Sequence, residues 1–269
     1  MGDGETRVRG LVVAGSSGEA ALLDDRERGT LLEWARTALG RDRLLVAGVG
    51  GESTRQTVMR AQVAKAAGAD AVLVVAPHYY LKRMSPAALH AHYAAVADQS
   101  PLPVLLYNIP VYAHLVLEPA LVHAMSAHDN VIGMKDSAGN LDMLREYLAA
   151  QGDHFTVLTG SGGTLHAALS MGVRGAILAI GLYATGQVLE LMAAHRAGET
   201  ERAQAIQGQL LPLATDIAAA LGPAGIKAAM DLVGLQGGPP RLPLLPVSEE
   251  ERSRVEARLS AAAALPSGR

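Results

Sequence analysis

The sequence predicts an α/β protein built as a (β/α) barrel, and three observations support this fold class. Short aliphatic runs alternate with longer amphipathic stretches almost to residue 200. The runs are apolar on both faces, which indicates a parallel sheet covered by helices. The units repeat every 25–30 residues or so, which fits a barrel better than an open sheet, and no glycine-rich dinucleotide fingerprint follows the first run.

Seven of these runs are predicted to be strands, one fewer than the eight of a closed TIM (β/α)8 barrel. In chain order they are Leu11–Ala14, Leu44–Ala47, Ala71–Ala76, Val104–Tyr107, Val131–Lys135, Phe155–Thr159 and Ala176–Ile180. The count therefore predicts a barrel of the TIM type that lacks one β/α unit.

A helical segment follows each strand, and several of these segments have typical ends. The segments lie near residues 24–39, 53–67, 85–98, 118–127, 140–150, 163–171 and 185–197. Ser53 and Ser85 are suitable N-caps, and Pro86 occupies the first helical position after Ser85. Three glycines lie where helices are expected to end: Gly40, Gly68 and Gly172.

After residue 198 the pattern becomes helical only, with segments near 199–220, 224–234 and 248–263. The simplest interpretation is a helical appendage rather than a separate domain. We therefore expect an N-terminally incomplete barrel over residues 1–198 and a C-terminal helical extension packed on it over residues 199–269.

Composition excludes several classes of protein. Of the 269 residues, 49% are hydrophobic, and the net charge is −3 with basic residues scattered, so neither a nucleic-acid nor a membrane surface is expected. The absence of cysteine excludes disulfides and thiolate chemistry. The histidines show no metal-ligand spacing, so no metal site is predicted. No apolar run reaches the roughly 20 residues of a membrane span, and no signal peptide is evident, so a cytoplasmic protein is expected.

Lys135 is the most informative residue. It ends the apolar stretch Val131–Met134 and is followed at once by Asp136 and Ser137, as at the carboxyl end of a buried strand that opens into a pocket. A lysine held against apolar surroundings loses part of its ammonium hydration, which favours a nucleophilic amine able to form imines with carbonyl substrates. The alternative is a strand-end lysine with its head in solvent.

Other strand ends carry small hydroxyls, glycines and tyrosines, which a barrel would gather at one rim. The loop Gly15–Glu19 could present hydroxyls and backbone N–H groups to a carboxylate, or could be an ordinary turn. Tyr107 could relay protons, or could be a half-buried structural tyrosine. The turn Gly160–Gly163 could allow close approach of a ligand, or could simply be flexible.

Three motifs in this order resemble the dihydrodipicolinate synthase / N-acetylneuraminate lyase superfamily of pyruvate-dependent class I aldolases. They are Gly15-Ser16-Ser17-Gly18-Glu19, Tyr107-Asn108-Ile109-Pro110 and Gly133-Met134-Lys135-Asp136-Ser137. The resemblance runs from about Gly10 to the C-terminus. Within the superfamily, Tyr79-Tyr80 with Arg83-Met84-Ser85, the lysine motif, and Gly225-Ile226-Lys227 with Gly237-Gly238-Pro239 look most like 4-hydroxy-2-oxoglutarate aldolases.

The resemblance implies a role for each candidate residue and no cofactor. Lys135 would form an imine with the keto carbon of a 2-oxo acid, and Tyr107 would shuttle protons. Ser16 and Ser17 would hold the carboxylate, with Ser16 also linking Tyr107 to Tyr79. The counterpart of Tyr79 in relatives reaches across a tight dimer interface, so a homo-oligomer, a dimer of dimers, is expected. Two further residues would line the substrate pocket: Ser137 and Gly160.

Two departures from the family pattern refine this prediction. Dihydrodipicolinate synthases place an arginine two residues after the motif proline, whereas here Val111 and Tyr112 follow Pro110. Tyrosine cannot supply the charged fork of arginine, which disfavours the lysine-biosynthesis reaction. Family members also begin with another strand and helix, whose absence would leave two open sheet edges and favour aggregation.

The favoured hypothesis is therefore a cofactor-free class I aldolase that cleaves a 4-hydroxy-2-oxo acid, such as 4-hydroxy-2-oxoglutarate, to pyruvate plus an aldehyde such as glyoxylate. The alternatives are a 2-keto-3-deoxy sugar-acid aldolase or dehydratase, and a dihydrodipicolinate synthase-like enzyme. An alternative of another class is a truncated, non-catalytic paralogue that binds 2-oxo acids or assembles with full-length partners.

Overall fold

A computed structural model describes residues 7–265, and its sheet has seven parallel strands, as predicted. Each strand pairs in parallel with the strand before and after it in the chain, and in the described residues β1 and β7 have one neighbour each. This is a curled (β/α) sheet with one strand fewer than a closed TIM barrel. The strands are β1 (Gly10–Val13), β2 (Leu44–Gly48), β3 (Ala71–Val75), β4 (Val104–Asn108), β5 (Val131–Asp136), β6 (Thr156–Thr159) and β7 (Gly175–Ala176).

Helices connect successive strands, and the predicted caps are confirmed. The hydroxyls of Ser53 and Ser85 accept hydrogen bonds from the backbone N–H groups of Gln56 and Ala88, at 3.1 and 3.2 Å. The helices of this part of the chain are α1 (Asp25–Leu39), α2 (Thr54–Ala66), α3 (Pro86–Gln99), α4 (Pro110–Ala113), α5 (Pro119–Ser126), α6 (Leu141–Leu148), α7 (Leu165–Met171) and α8 (Thr185–Arg196).

The prediction for the seventh strand was wrong in its extent. The aliphatic run Ala176–Ile180 was expected to be extended, but β7 covers only Gly175–Ala176, and a 3-10 helix follows at Ala179–Leu182. Strand β6 ends at Thr159, which pairs with Ala176, so the residues beyond have no ladder partner. Their backbone bonds locally instead, for example from Ala184 N–H to the carbonyl of Ile180 at 2.8 Å.

One face of the sheet carries a buried cluster that is mainly aliphatic and includes Tyr107, near the carboxyl end of β4. Leu73, Leu105 and Tyr107 are each at most 6% exposed and pack with Ile109 and Ala113. In this parallel register Val75 pairs with Tyr107, and Tyr107 pairs with Lys135, so the three side chains project from the same face of adjacent strands. The register thus places the lysine and the tyrosine side by side.

The chain divides into two compact units. One consists of Arg9–Gly160 and Met171–Ala176, and it contains the whole sheet. The other is helical in its C-terminal part, as predicted, with α9 (Thr200–Pro212), a π-helix (Leu213–Ala219), α10 (Ala220–Leu232) and α11 (Glu249–Ala261). Helix α10 is interrupted at Gly222, before Pro223. The domain boundary at residue 198 stays a prediction. No helix within residues 7–265 has the length and apolarity needed to cross a membrane.

Candidate active site

Lys135 and Tyr107 meet at the carboxyl ends of β5 and β4. The ammonium nitrogen Nζ of Lys135 donates a hydrogen bond to the Tyr107 hydroxyl at 3.1 Å and lies 4.3 Å from the centre of its ring. Tyr107 is only 5% exposed, and Lys135 is half-buried. The amine therefore has a proton-carrying group within direct reach and remains partly accessible, as an imine-forming lysine requires.

The residues that follow this pair fix the two strand ends to each other. Asn108 and Asp136 are paired in the register one step beyond Tyr107 and Lys135, so their side chains project from the opposite face. The Asn108 amide donates to the Asp136 carboxylate at 2.7 Å, and Asn108 Oδ1 accepts from Leu117 N–H at 3.0 Å. Burial raises the pKa of Asp136, and the bonds from Asn108 and from Ala138 N–H oppose that shift. This buried bridge holds the lysine and tyrosine backbones in a fixed relation.

Gly160 and Ser137 border the lysine side chain, and their role in lining a substrate pocket stays a prediction. A methyl group placed at Gly160 would lie 1.9 Å from the Ser137 hydroxyl oxygen and 2.6 Å from Cε of Lys135. The backbone is tied down here as well, since Gly160 N–H donates to the Asp136 carbonyl at 2.6 Å and Ser137 N–H to the Asn108 carbonyl at 2.9 Å. Only glycine leaves room for the lysine in this position.

The serine loop follows β1 as a tight turn. Ser16–Gly18 form one 3-10 turn, and Ala20 N–H bonds back to the Gly15 carbonyl at 3.3 Å. Ser16 and Tyr107 line the same small cavity, of about 40 Å³. The hydroxyls of Ser16 and Ser17 make no hydrogen bond to other described residues, which leaves both hydroxyls available to a ligand.

Tyr79 stands apart from this cluster within one chain. Its side chain is 76% exposed and contacts the ring of Tyr80 edge-on at 5.1 Å. Its backbone is held by Glu52, whose carboxylate accepts from the N–H groups of His78 and Tyr79 at 3.0 and 2.8 Å. The structure thus brings Ser137 and Gly160 to Lys135 and Tyr107, and it places Ser16 on a cavity shared with Tyr107. Ser17 lies in the same turn as Ser16, and Tyr79 projects outward.

Sequence reasoning missed several residues of this site. Arg28 of α1 is buried and lines the cavity with Ser16 and Tyr107. The sequence feature that could have identified Arg28 as buried is its position four residues before Leu32, on the apolar face of the helix. Asn108 and Asp136 were part of the quoted motifs without a role. Glu52 carried no signal, because its contact with the backbone of Tyr79 spans 27 residues.

The arrangement defines a class of protein: a parallel (β/α) enzyme whose strand ends present a lysine amine, a tyrosine hydroxyl and a hydroxyl-bearing loop. The chain belongs to the dihydrodipicolinate synthetase family, whose model matches residues 5–262. It is therefore a carbon–carbon lyase of the pyruvate-dependent aldolase type.

Named relatives and solved structures agree with this membership. The chain is 35% identical over 252 residues to a 4-hydroxy-tetrahydrodipicolinate synthase of Listeria innocua, covering 93% of this chain and 85% of the relative. It superposes on dihydrodipicolinate synthase of Bacillus anthracis with a TM-score of 0.88 at 30% identity, over 96% of this chain and 87% of that one. The prophage protein YagE of E. coli K12, solved in complex with pyruvate, matches with a TM-score of 0.89 at 31% identity, over 96% and 88% of the two chains.

Proposed function

We propose that this protein is a Schiff-base aldolase that cleaves a 4-hydroxy-2-oxo acid, with 4-hydroxy-2-oxoglutarate as the best candidate, to pyruvate and an aldehyde such as glyoxylate. The observation that carries the proposal is the 3.1 Å hydrogen bond between Lys135 Nζ and the Tyr107 hydroxyl. It supports an amine nucleophile and a proton carrier that act on the same carbon centre.

The proposed reaction uses this chain's own groups at each step. The neutral amine of Lys135 adds to the keto carbon, and Tyr107 gives its proton to the departing hydroxyl, so that loss of water leaves a protonated imine and a Tyr107 phenolate. That imine accepts the electron pair of the bond between C3 and C4, while the C4 hydroxyl loses its proton to Tyr107 and becomes the aldehyde carbonyl. The enamine left on Lys135 is protonated at C3, and water releases pyruvate. The hydroxyls of Ser16 and Ser17 are proposed to hold the substrate carboxylate throughout.

Borohydride trapping tests the proposal directly. Incubation with pyruvate and borohydride should add one reduced pyruvate adduct, and peptide mass spectrometry should locate it on Lys135. Lys135→Met is the matched control, because it keeps an unbranched side chain of similar length without the amine. An adduct on Lys65, Lys82 or Lys227, or none on folded protein, would contradict the mechanism and favour a non-catalytic paralogue.

A second candidate is the reaction for which the relatives are named, synthesis of 4-hydroxy-tetrahydrodipicolinate. The 35% identity favours it. The residues after Pro110 oppose it, since Tyr112, where the synthases are expected to carry arginine, is 45% exposed and offers no positive charge. Assaying cleavage of 4-hydroxy-2-oxoglutarate, cleavage of 2-keto-3-deoxy sugar acids and the synthase reaction in parallel distinguishes these candidates by kcat/KM.

We also propose that the protein works as a homo-oligomer, a dimer of dimers, in which Tyr79 enters the site of a neighbouring copy. Its 76% exposure supports this arrangement, as does the exposure of the aromatic and aliphatic side chains nearby in the sequence, Tyr80 and Leu81 at 68% and 40%. Analytical ultracentrifugation of the wild type and of Tyr80→Asp tests it, and a monomeric, fully active wild type would contradict it. Location in the cytoplasm stays a prediction.

A further inference from the structure

Arg28 is a buried cation at the candidate active site to which no role has been assigned above. It lies in the first turns of α1 and is only 6% exposed. Its Nη1 donates to the carbonyl of Gly48, the last residue of β2, at 3.2 Å, and its Nη2 donates to the carbonyl of Ala20. The guanidinium therefore connects the end of the serine loop to the end of the neighbouring strand.

No carboxylate among residues 7–265 forms a salt bridge with Arg28. Asp25, on the same helix, is bonded to Arg60 at 2.6 Å. Burial and the neighbouring Arg60 lower the pKa of Arg28 to about 10, and the nearby Asp25 carboxylate partly opposes that shift, so the group stays charged at neutral pH. Its Nε is buried and has no hydrogen-bond partner in the described structure. The Arg28 guanidinium is thus bonded to two backbone carbonyls and to no carboxylate of the described residues, so no salt bridge neutralises its charge.

The loop that Arg28 holds is conformationally strained at both ends. Ala14 and Glu19, which flank Gly15–Gly18, both have φ of 56°, a left-handed conformation that is unfavourable for residues other than glycine. Such conformations persist only where the surroundings enforce them, and they are concentrated at functional sites. The bond from Arg28 to the Ala20 carbonyl provides that constraint next to Glu19.

The same guanidinium borders the cavity that Ser16 shares with Tyr107. Arg28 thus lines the same cavity as Ser16, whose hydroxyl is free to bind a ligand. A fixed positive charge in a site of low dielectric attracts an anion much more strongly than it would in water.

We propose that Arg28 is a positioning residue that confers selectivity for substrates bearing a carboxylate. It holds the serine loop in its strained conformation and supplies the positive charge behind it, so that Ser16 and Ser17 bind a 2-oxo acid rather than an uncharged ketone. This inference rests on the proposed function of Lys135.

Arg36, two turns further along α1, is a matched control. It too is an arginine with a largely buried side chain, 14% exposed, and it bonds to the Gly68 carbonyl at 2.9 Å. It lies at the amino ends of the strands, however, and its guanidinium is paired with Asp70 at 2.6 Å. Its loss should affect stability without affecting the binding of a carboxylate.

The experiment measures the concentration of pyruvate that gives half-maximal borohydride trapping on Lys135. Arg28→Met should raise this concentration by about tenfold or more, because it removes both the charge and the two bonds. Arg28→Lys, which keeps the charge but not the fork, should raise it by about threefold. Arg36→Met should leave it within about twofold of the wild type. For methyl pyruvate, whose ester is uncharged, all four proteins should differ by less than about twofold, a result that a purely structural role would not give.

Each other outcome overturns the inference in a recognisable way. If Arg28→Met raises the half-saturating concentrations of pyruvate and methyl pyruvate equally, Arg28 has a structural role only. If circular dichroism shows that Arg28→Met does not fold, the Arg28→Lys variant is used instead. A half-saturating pyruvate concentration in Arg28→Lys equal to that of the wild type then contradicts the proposal. A wild-type protein that traps no pyruvate overturns the proposed function itself. Trapping in the wild type with no change in the Arg28 variants overturns only the role of Arg28.

Discussion

The proposed catalytic lysine at the carboxyl ends of the sheet and the polar side chains at its amino ends are bonded to very different degrees. At the amino ends, Asn130 donates its amide to the carbonyls of Ala97, Ser100 and Leu102 at 2.9–3.2 Å, and Arg36 is paired with Asp70. At the carboxyl ends, the Lys135 amine bonds only to the Tyr107 hydroxyl among the described residues. Saturated bonding at one end gives stability, and spare bonding capacity at the other end is what a substrate can use.

The largest expected effect comes from removing the proton carrier at the carboxyl ends. Tyr107→Phe keeps the buried ring but removes the hydroxyl that Lys135 contacts. Turnover of 4-hydroxy-2-oxoglutarate should fall by roughly 10²–10⁴, while the midpoint of thermal unfolding stays close to that of the wild type. If turnover remains within a few-fold, Tyr107 is a packing residue and the contrast between the two ends loses its functional meaning.

The next effect tests whether the space beside Lys135 is required. Gly160→Ala places a methyl group 2.6 Å from Cε of the lysine and should lower kcat by roughly 10²-fold, because the amine is displaced from its reactive position. Gly152→Ala is the matched control near the amino end of β6, since a methyl group there meets nothing within 4 Å. Equal kcat values for the two variants would refute the steric argument.

At the amino ends the expected loss is of stability rather than activity. Asn130→Ala removes the amide donor from three backbone carbonyls, of which Leu102 keeps the Ser100 hydroxyl as a donor, and should lower the free energy of unfolding by roughly 1–3 kcal/mol. Urea denaturation measures this loss, and trapping of pyruvate on Lys135 at saturation serves as the activity readout. If Asn130→Ala has wild-type stability but impaired trapping of pyruvate, the amino ends serve activity rather than stability, contrary to this prediction.

The smallest effect concerns His92 of α3, which lies at neither end. Its Nδ1 bonds to the Thr54 hydroxyl at 2.9 Å, its Nε2 is buried without a partner, and burial lowers the pKa of His92 to about 4. Because the unfolded chain binds this proton more readily, the contribution to stability is present above pH ~6.5 and is lost as the pH falls toward 4. About 1 kcal/mol should disappear between pH ~7.5 and ~5.5.

Urea unfolding at both pH values checks the His92 prediction, with His92→Gln as the comparison because glutamine can still bond to the Thr54 hydroxyl and does not titrate. The drop in stability should be smaller in the variant by about 1 kcal/mol. An identical drop in both proteins would place the acid sensitivity elsewhere.

Much of the fold could be predicted because local signals agree with it. The apolar runs at Val104–Tyr107 and Val131–Lys135 became β4 and β5 with one residue added to each, and Ser53 and Ser85 cap their helices as expected. The prediction of a strand over Ala176–Ile180 was wrong, because hydrophobicity alone does not say whether a neighbouring strand is long enough to pair with it. A strand needs a partner that the local sequence does not describe.

The sequence by itself determined which chemical groups stand at the strand ends, because Lys135, Tyr107 and the serine loop each directly follow or end an apolar run. Only the tertiary structure decided which of them meet. The register of β4 against β5 sets Lys135 beside Tyr107, and a helix folded back over the sheet brings Arg28 to the carbonyls of Ala20 and Gly48. These contacts span 28 residues between the strands and 20 between Arg28 and Gly48. They arise from strand pairing and helix packing over those separations, which no local pattern of residues records.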